Sequence, residues 1–251
     1  MKNTILRLSF CLAFLLLSGP AVHAQLRLDL ESGLVLGTPY NEVRIPNTGG
    51  TLVDLPTELS AKPTAFYRVR LGYTINNRHT ISALYAPLTV RYDGAFDRDV
   101  YYNGQIFPAG QATRVNYTFN SYRLTYRYDI VADERWRVGL GFTGKIRDAN
   151  VQFTNETSNR DTNFDNLGFV PLINFYVSYR PTQRLGLLLE GDALGARQGR
   201  AEDIFAGATY QLSDAFGLKA GYRVVEGGAN VDTIYNFTWI NYASAGLLIT
   251  L

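Results

Sequence analysis

The sequence predicts an all-β fold: a single closed antiparallel transmembrane β-barrel of about ten strands, with eight as the lower alternative. Three observations predict it. Apolar and polar residues alternate with a period of two along most of the chain. The connections between the alternating segments are long and short in turn, and aromatic residues flank the short ones. Together these features favour a barrel with short turns at one end and long loops at the other.

Residues 1–24 have the features of a cleaved secretory signal peptide. Two basic residues precede an apolar stretch over 8–17, and the triplet 22–24 gives the small-x-small pattern expected before a cleavage site. The apolar stretch is shorter than the roughly 20 residues that a helix needs to cross a bilayer. We therefore expect the barrel domain to comprise residues 25–251.

Cleavage changes what the composition implies. The chain has 24 Lys and Arg against 22 Asp and Glu, and the signal contains two of the basic residues and none of the acidic ones. The barrel is then balanced in charge, which argues against a nucleic-acid partner. Cleavage also removes Cys11, the one cysteine, and His23, so His79 is the one histidine left. No cofactor and no metal site is expected.

The alternation defines the strands. In the first segment, Leu26, Leu28 and Leu30 alternate with Arg27 and Asp29. A strand places such leucines on one face, whereas a helix would distribute them around its axis. In a membrane barrel the apolar face points to lipid and the polar face points to the lumen. The ten segments lie at residues 26–36, 67–75, 84–92, 122–128, 136–145, 171–179, 185–192, 204–210, 216–224 and 243–251.

The alternation also indicates how the faces of the third and fourth segments are oriented. In the third, the apolar residues occupy the even positions from Leu84 to Tyr92, so we expect them to face lipid and Arg91 to face the lumen. Before the fourth, the apolar positions are odd over 115–119 and become even from Tyr122 onward. This change predicts either a β-bulge or a hairpin that extends beyond the membrane.

The connections fall into two classes that alternate strictly, as in bacterial outer-membrane barrels with short periplasmic turns and long extracellular loops. An even strand number then leaves both termini at the periplasmic end. The long connections are predicted at 38–61, 93–112, 154–166, 194–203 and 226–233, and the short ones at 76–79, 131–135, 181–184 and 213–215.

Aromatic residues flank the short turns, and each shares the parity of its strand's apolar face. Amphipathic rings favour the headgroup region of a bilayer, so this position predicts an interfacial aromatic girdle. The residues are Tyr73, Tyr128, Trp136, Tyr179, Tyr210 and Phe216.

In these features the chain resembles the small bacterial outer-membrane barrels of the OmpA membrane-domain and OmpW kind, the OmpW-like porin superfamily type. Its last strand is similar to the assembly signal of such proteins, although Leu251 stands where they usually end in Phe or Trp. The resemblance implies location in the bacterial outer membrane and contact with its lipid and lipopolysaccharide. It also implies recognition by the barrel-assembly machinery and a monomeric state.

The inward positions are strongly ionic. Two interpretations follow: ion pairs that plug the lumen, or a narrow polar channel. Long arginine side chains fill space, which favours the plug. The candidate cluster in the lumen or at its mouth comprises Asp29, Glu31, Arg68, Arg70, Arg123, Glu190, Asp192, Arg200, Asp203 and Arg223. Further inward charges are expected at Arg27, Arg91, Arg127, Arg137, Lys145, Arg147, Arg180 and Lys219.

The favoured function is therefore a non-enzymatic barrel with a largely filled lumen, acting in envelope structure or in surface interaction through its extracellular loops. The alternative is a narrow porin-like channel for ions or small solutes. Barrel enzymes acting on lipid or peptide usually include a working histidine, whereas His79 falls in a predicted periplasmic turn. A mechanism using only the carboxylates of Glu190, Asp192 and Asp203 is the less favoured remaining possibility.

Overall fold

The computed structural model describes residues 24–251. The predicted signal peptide therefore lies, except for its last residue, outside the described residues. Among those that are described, no helix is long and apolar enough to cross a bilayer. The elements are β1 (Ala24–Arg44), β2 (Val53–Asp54), α1 (Leu55–Glu58), β3 (Ser60–Ala61), β4 (Ala65–Ile75), β5 (His79–Ala86), β6 (Thr89–Ala95), β7 (Val100–Tyr102), β8 (Gln105–Phe107), β9 (Ala112–Ala132), β10 (Trp136–Asn155), β11 (Arg160–Tyr179), β12 (Leu185–Ala196), β13 (Gly199–Gln211), β14 (Phe216–Val231) and β15 (Ile234–Thr250).

The long strands form a closed antiparallel barrel. Each pairs with its neighbour in sequence, and the ring closes where β15 pairs with β1, with Leu28 opposite Ile249. β5 and β6 count as one barrel strand, because both pair with β9 in a single register and are separated only by Pro87 and Leu88. In the part of the chain described, ten strands therefore make the wall, which confirms the predicted fold.

A belt of exposed apolar side chains surrounds this wall. Such a surface is stable in a bilayer and would be a liability in water. The predicted aromatic residues share this outward face, and Trp136 packs on Tyr179 with ring centroids 4.5 Å apart. The exposed residues of the belt include Leu34, Leu36, Tyr67, Leu71, Tyr73, Ile81, Tyr85, Tyr122, Leu124, Tyr126, Tyr128, Trp136, Leu140, Phe142, Ile146, Phe169, Ile173, Leu185, Leu187, Leu189, Tyr210, Phe216, Leu218 and Tyr222.

The third barrel strand has the opposite orientation to the one predicted. Leu84 and Tyr92 are buried in the lumen, whereas Ile81 and Tyr85 are exposed on the outer wall. Register with the neighbouring strands imposes this orientation, because Leu84 lies opposite the inward-pointing Arg70 and Arg123. Arg91, predicted to lie in the lumen, is consequently on the outer wall as well.

The change of apolar parity before Tyr122 arises from a hairpin extension and not from a bulge. β9 and β10 keep one register from Arg114 to Asp129, so the odd residues of β9 point inward throughout that stretch. Val115 and Tyr117 are buried above the level of the ionic residues, where the lumen is apolar. At this height the outer face of the wall is polar and the inner face is apolar. The apolar residues therefore occupy the opposite parity from that in the membrane-spanning part.

The short connections lie where they were predicted, but three of the long ones are strand extensions. Residues 154–166, 194–203 and 226–233 continue the β10–β11, β12–β13 and β14–β15 hairpins, which end in turns of four residues or fewer. Backbone pairing needs no apolar side chains, so a strand rich in Asn, Thr and Asp continues into water.

The remaining two long connections fold over the mouth of the barrel opposite the short turns. The first contains β2, α1 and β3, and the second contains the β7–β8 hairpin. The tip of this hairpin is Asn103-Gly104, and both residues have positive φ, as a two-residue hairpin turn of the primed type requires. Buried residues of both connections join one apolar cluster with the upper strands.

Candidate functional site: the closed lumen

The interior of the barrel holds three levels of different chemistry. A network of buried ion pairs, here called the ionic layer, crosses the middle of the lumen. Above it, the apolar cluster of the upper strands and the two long connections, here called the apolar cap, fills the half of the lumen opposite the short turns. Below it a cavity, here called the vestibule, opens at the end where the short turns lie. Nine of the ten predicted cluster residues lie in the ionic layer, and Arg200 does not.

Arg223 lies at the centre of the ionic layer and is 1% exposed. Its Nε and Nη2 donate to the two carboxylate oxygens of Glu31 at 2.7 and 2.8 Å, and its Nη1 donates to Asp203 at 2.5 Å. Lys219 donates to Glu31 and to Asp29, both at 2.7 Å. β1, β13 and β14 are thus joined across the lumen by charge-assisted hydrogen bonds.

A second group connects the opposite wall. Arg123 contacts Asp192 at 2.7 Å and Asp203 at 2.6 Å, and Arg68 contacts Asp203 at 2.8 Å. Asp192 also accepts hydrogen bonds from Thr143 and Asn174. Asp203 therefore faces three guanidinium groups.

Arg70 and Glu190 form the edge of the ionic layer that faces the vestibule, with 3.1 Å between Nη1 and Oε2.

The two lysines of the layer were predicted to point inward but were not included in the predicted cluster. Lys219 belongs to it by its bonds to Asp29 and Glu31. Lys145 is buried beside the ring of Phe119, 4.5 Å from its centroid, and forms no salt bridge with a described residue.

Arg200 lies apart from this layer, on the outer wall above the apolar belt. Its guanidinium binds Glu226 at 2.7 Å, and Glu226 accepts a hydrogen bond from the Tyr40 hydroxyl at 2.6 Å. β13 keeps its parity up to the turn, so the even position 200 points outward, as Tyr210 does. Burial, and then the hydrogen bond to Glu226, raise the pKa of Tyr40 to about 12.

The apolar cap is built around Phe153 of β10. Its ring stacks on Tyr102 with centroids 4.0 Å apart and also contacts Phe96 and Phe107. The Tyr102 hydroxyl donates to the carbonyl oxygen of Val151 at 2.7 Å, which satisfies its one buried polar group. Phe96, Tyr102 and Phe107 fall in the predicted long connection 93–112, so the cap was not predicted. The Asn103-Gly104 turn signal, flanked by alternating apolar residues, could have indicated the β7–β8 hairpin.

The vestibule is a cavity of about 460 Å³ between the ionic layer and the short turns. Asp29, Arg70 and Glu190 line its closed end, and Arg27, Arg127 and Arg137 line its walls nearer the mouth. The cavity therefore ends at the ionic layer and does not continue through the barrel.

His79 and the three candidate carboxylates lie on opposite faces of the barrel wall. His79 is on the outer wall at the start of β5, where its Nδ1 lies 2.9 Å from the Tyr126 hydroxyl. Glu190, Asp192 and Asp203 are buried and paired with arginines. Among residues 24–251, no group of His, Cys, Asp and Glu has the geometry to hold a metal ion.

Comparison with solved structures shows the same fold. The outer-membrane protease OmpT from Escherichia coli matches with a TM-score of 0.53 at 11% identity, over 93% of this chain and 99% of that one. Ail, the attachment invasion locus protein of Yersinia pestis, matches with a TM-score of 0.41 at 11% identity, over 90% of this chain and 99% of that one. The translocator domain of the autotransporter NalP from Neisseria meningitidis matches with a TM-score of 0.42 at 12% identity, over 99% of this chain and 95% of that one. No protein-family model and no curated protein matches the sequence. The chain thus has the fold of an outer-membrane β-barrel.

Proposed function

We propose that the chain is a non-conducting barrel of the bacterial outer membrane that acts in envelope structure or surface interaction through its extracellular part. The observation that carries the proposal is the double closure of the lumen. Ions would have to cross the ionic layer, whose described charges are paired except for that of Lys145, and then the apolar cap, whose residues exclude water. Two stacked barriers of opposite chemistry favour a sealed barrel over a pore.

The extracellular part offers surfaces for interaction. β11 pairs with β10 along its whole length but with β12 only from Ile173 to Tyr179, which leaves residues 160–172 as a strand edge that is mostly polar over 160–166. On the outer wall, Lys62, Arg91 and Arg114 surround the carboxylate of Asp93, and Arg114 also lies 3.6 Å from Glu156, so three cations face two carboxylates. The cation surplus suits phosphate groups, and we propose lipopolysaccharide as its partner.

We also propose that the protein is not an enzyme. The carboxylates that could act without histidine lie in the ionic layer, beneath the apolar cap. A substrate at the extracellular mouth has no path to them through the described residues. His79, the usual type of general base near neutral pH, lies on the lipid-facing wall near the opposite end.

Within this fold class we propose a relationship to the OmpA membrane-domain and OmpW barrels. The alternating last strand supports it, because β15 closes the ring by pairing with β1 and is the segment that an assembly machinery would recognise. A monomer is proposed as the working unit, since the ring is complete within one chain.

The open vestibule favours one alternative, a narrow channel, and conductance in planar bilayers distinguishes the two. We expect the folded protein, verified by a heat-dependent shift in gel mobility, to be electrically silent. A variant with the β7–β8 hairpin replaced by a short linker should also be silent, because the ionic layer remains. Reproducible conductance steps from the folded wild type would contradict the proposal.

The orientation can be tested separately by cysteine labelling. The barrel domain has no cysteine, so Asp232→Cys in the β14–β15 turn and Asp214→Cys in the β13–β14 turn each give one reactive thiol. A membrane-impermeant maleimide should label the Asp232 variant on intact cells. The Asp214 variant should react only after the outer membrane is permeabilised, and the reverse pattern would invert the orientation proposed.

A further inference from the structure

The vestibule has a charge composition that the closure of the lumen does not explain. Among the described residues that line it, seven are arginines, four are carboxylates and none is a lysine. A fifth carboxylate, Asp129, lies fully buried behind Arg127 and Arg137, so the surplus is two positive charges. A volume of about 460 Å³ is within the range of small-molecule binding sites.

Two of the arginines are held in place before any ligand arrives. Asp129 accepts from Arg127 Nε at 2.7 Å and from Arg137 Nη1 at 2.7 Å. The Arg127 guanidinium also lies over the ring of Tyr176, 4.0 Å from its centroid. Gly139 allows this packing, because a Cβ there would collide with Asp129 and Arg127. One carboxylate accepts hydrogen bonds from two guanidinium groups, which leaves one positive charge uncompensated.

Arg27 supplies a second positive charge from β1. It points inward opposite Gly72 of β4, which leaves space beside its side chain, and it forms no salt bridge with a described residue. At the closed end, one oxygen each of Asp29 and Glu190 has no hydrogen-bond partner within the described part of the chain. These carboxylates repel an anion from the closed end and favour a position nearer the mouth, among Arg27, Arg127 and Arg137.

We infer that the vestibule binds a small polyanion, a molecule with two or more carboxylate or phosphate groups, from the periplasmic side. Guanidinium groups pair with both anions through two parallel hydrogen bonds, which a compact ammonium cannot do. The walls of the barrel exclude water on all sides except the mouth, so these bonds are stronger than on an open surface. This site is independent of the proposed extracellular role, since it lies on the other side of the ionic layer.

Isothermal titration of the purified barrel in zwitterionic detergent tests the inference, with citrate and pyrophosphate as probes and acetate as the monovalent control. We expect one saturable site for at least one polyanion and none for acetate. Arg27→Gln should weaken binding about tenfold or more, the value of one charge-assisted hydrogen bond. Arg197→Gln makes the same change in the exposed β12–β13 turn, at the opposite end of the barrel, and should leave the affinity unchanged.

Equal effects of the two variants would mean non-specific attraction to positive charge and would overturn the inference, as would no saturable binding of either probe. A second arm identifies the source of the anion. If the barrel co-sediments with isolated cell walls and citrate prevents this, the ligand is a set of carboxylates carried on the cell wall. Citrate or pyrophosphate binding without co-sedimentation would indicate a soluble anion.

Discussion

Replacing Arg223 by methionine should destabilise the barrel more than any other single change to its arginines. The variant keeps an unbranched side chain that fills much of the space but removes the guanidinium and with it three hydrogen bonds, two to Glu31 and one to Asp203. Glu31 then retains Lys219, and Asp203 retains Arg68 and Arg123. The lost charge leaves carboxylates in a site that water does not reach.

The burial of Arg223 determines how much unfolding free energy the variant loses. Removing one partner of a buried, hydrogen-bonded ion pair costs about 3–5 kcal/mol. Because about 1.4 kcal/mol corresponds to a factor of ten, the folding equilibrium should fall by roughly two to four orders of magnitude. Arg91 is 45% exposed in its salt bridge with Asp93, so Arg91→Met should cost only about 0–1 kcal/mol.

Urea unfolding in lipid vesicles, followed by tryptophan fluorescence, measures both free energies. The double variant Glu31→Gln with Arg223→Met provides a cycle, and it should be less destabilised than the sum of the two single variants. Equal losses for Arg223→Met and Arg91→Met would refute the argument, because they would mean that the ionic layer is solvated and contributes no more than a surface pair.

Three other changes test the remaining levels of the structure. Lys145→Met should leave the free energy of unfolding unchanged or raise it, because this buried ammonium has no ion-pair partner to lose among the described residues; the same urea titration measures it. Phe153→Ala should lower the free energy of unfolding by about 3–5 kcal/mol, because it leaves a void at the centre of the apolar cap. Tyr40, whose pKa is raised to about 12, contributes stability that is complete below pH 10 and lost as the pH rises toward 12. Thermal unfolding between pH 9 and 12 should therefore show a smaller loss for Tyr40→Phe than for the wild type.

The strands could be predicted from the sequence because their signal is local. A side-chain period of two specifies the two faces within five or six residues, and the identity of the inward residues followed directly from it. This is why Glu31 and Arg223 could be placed in the cluster without knowledge of the pairing. Arg200 was misplaced for a related reason: position 200 was assigned to a loop, and a loop has no parity.

The orientation of the third barrel strand could not be predicted from the strand alone. Ile81 and Tyr85 give it an apolar outer face, but Leu84 on the other face is apolar too. A segment that is apolar on both faces carries no sign of which one meets lipid. The decision comes from register with Arg70 and Arg123, which are 14 and 39 positions away in the sequence.

The ionic layer and the vestibule differ in whether folding requires their charges to balance. The ionic layer is closed to water on one side by the apolar cap, and its cations and carboxylates nearly balance, as buried charges must. The vestibule is open at its mouth, so water screens its surplus of positive charge at little cost to stability. Because folding neither demands nor forbids that surplus, the arrangement of Arg127 and Arg137 around one carboxylate is better explained by a ligand than by the architecture of the wall.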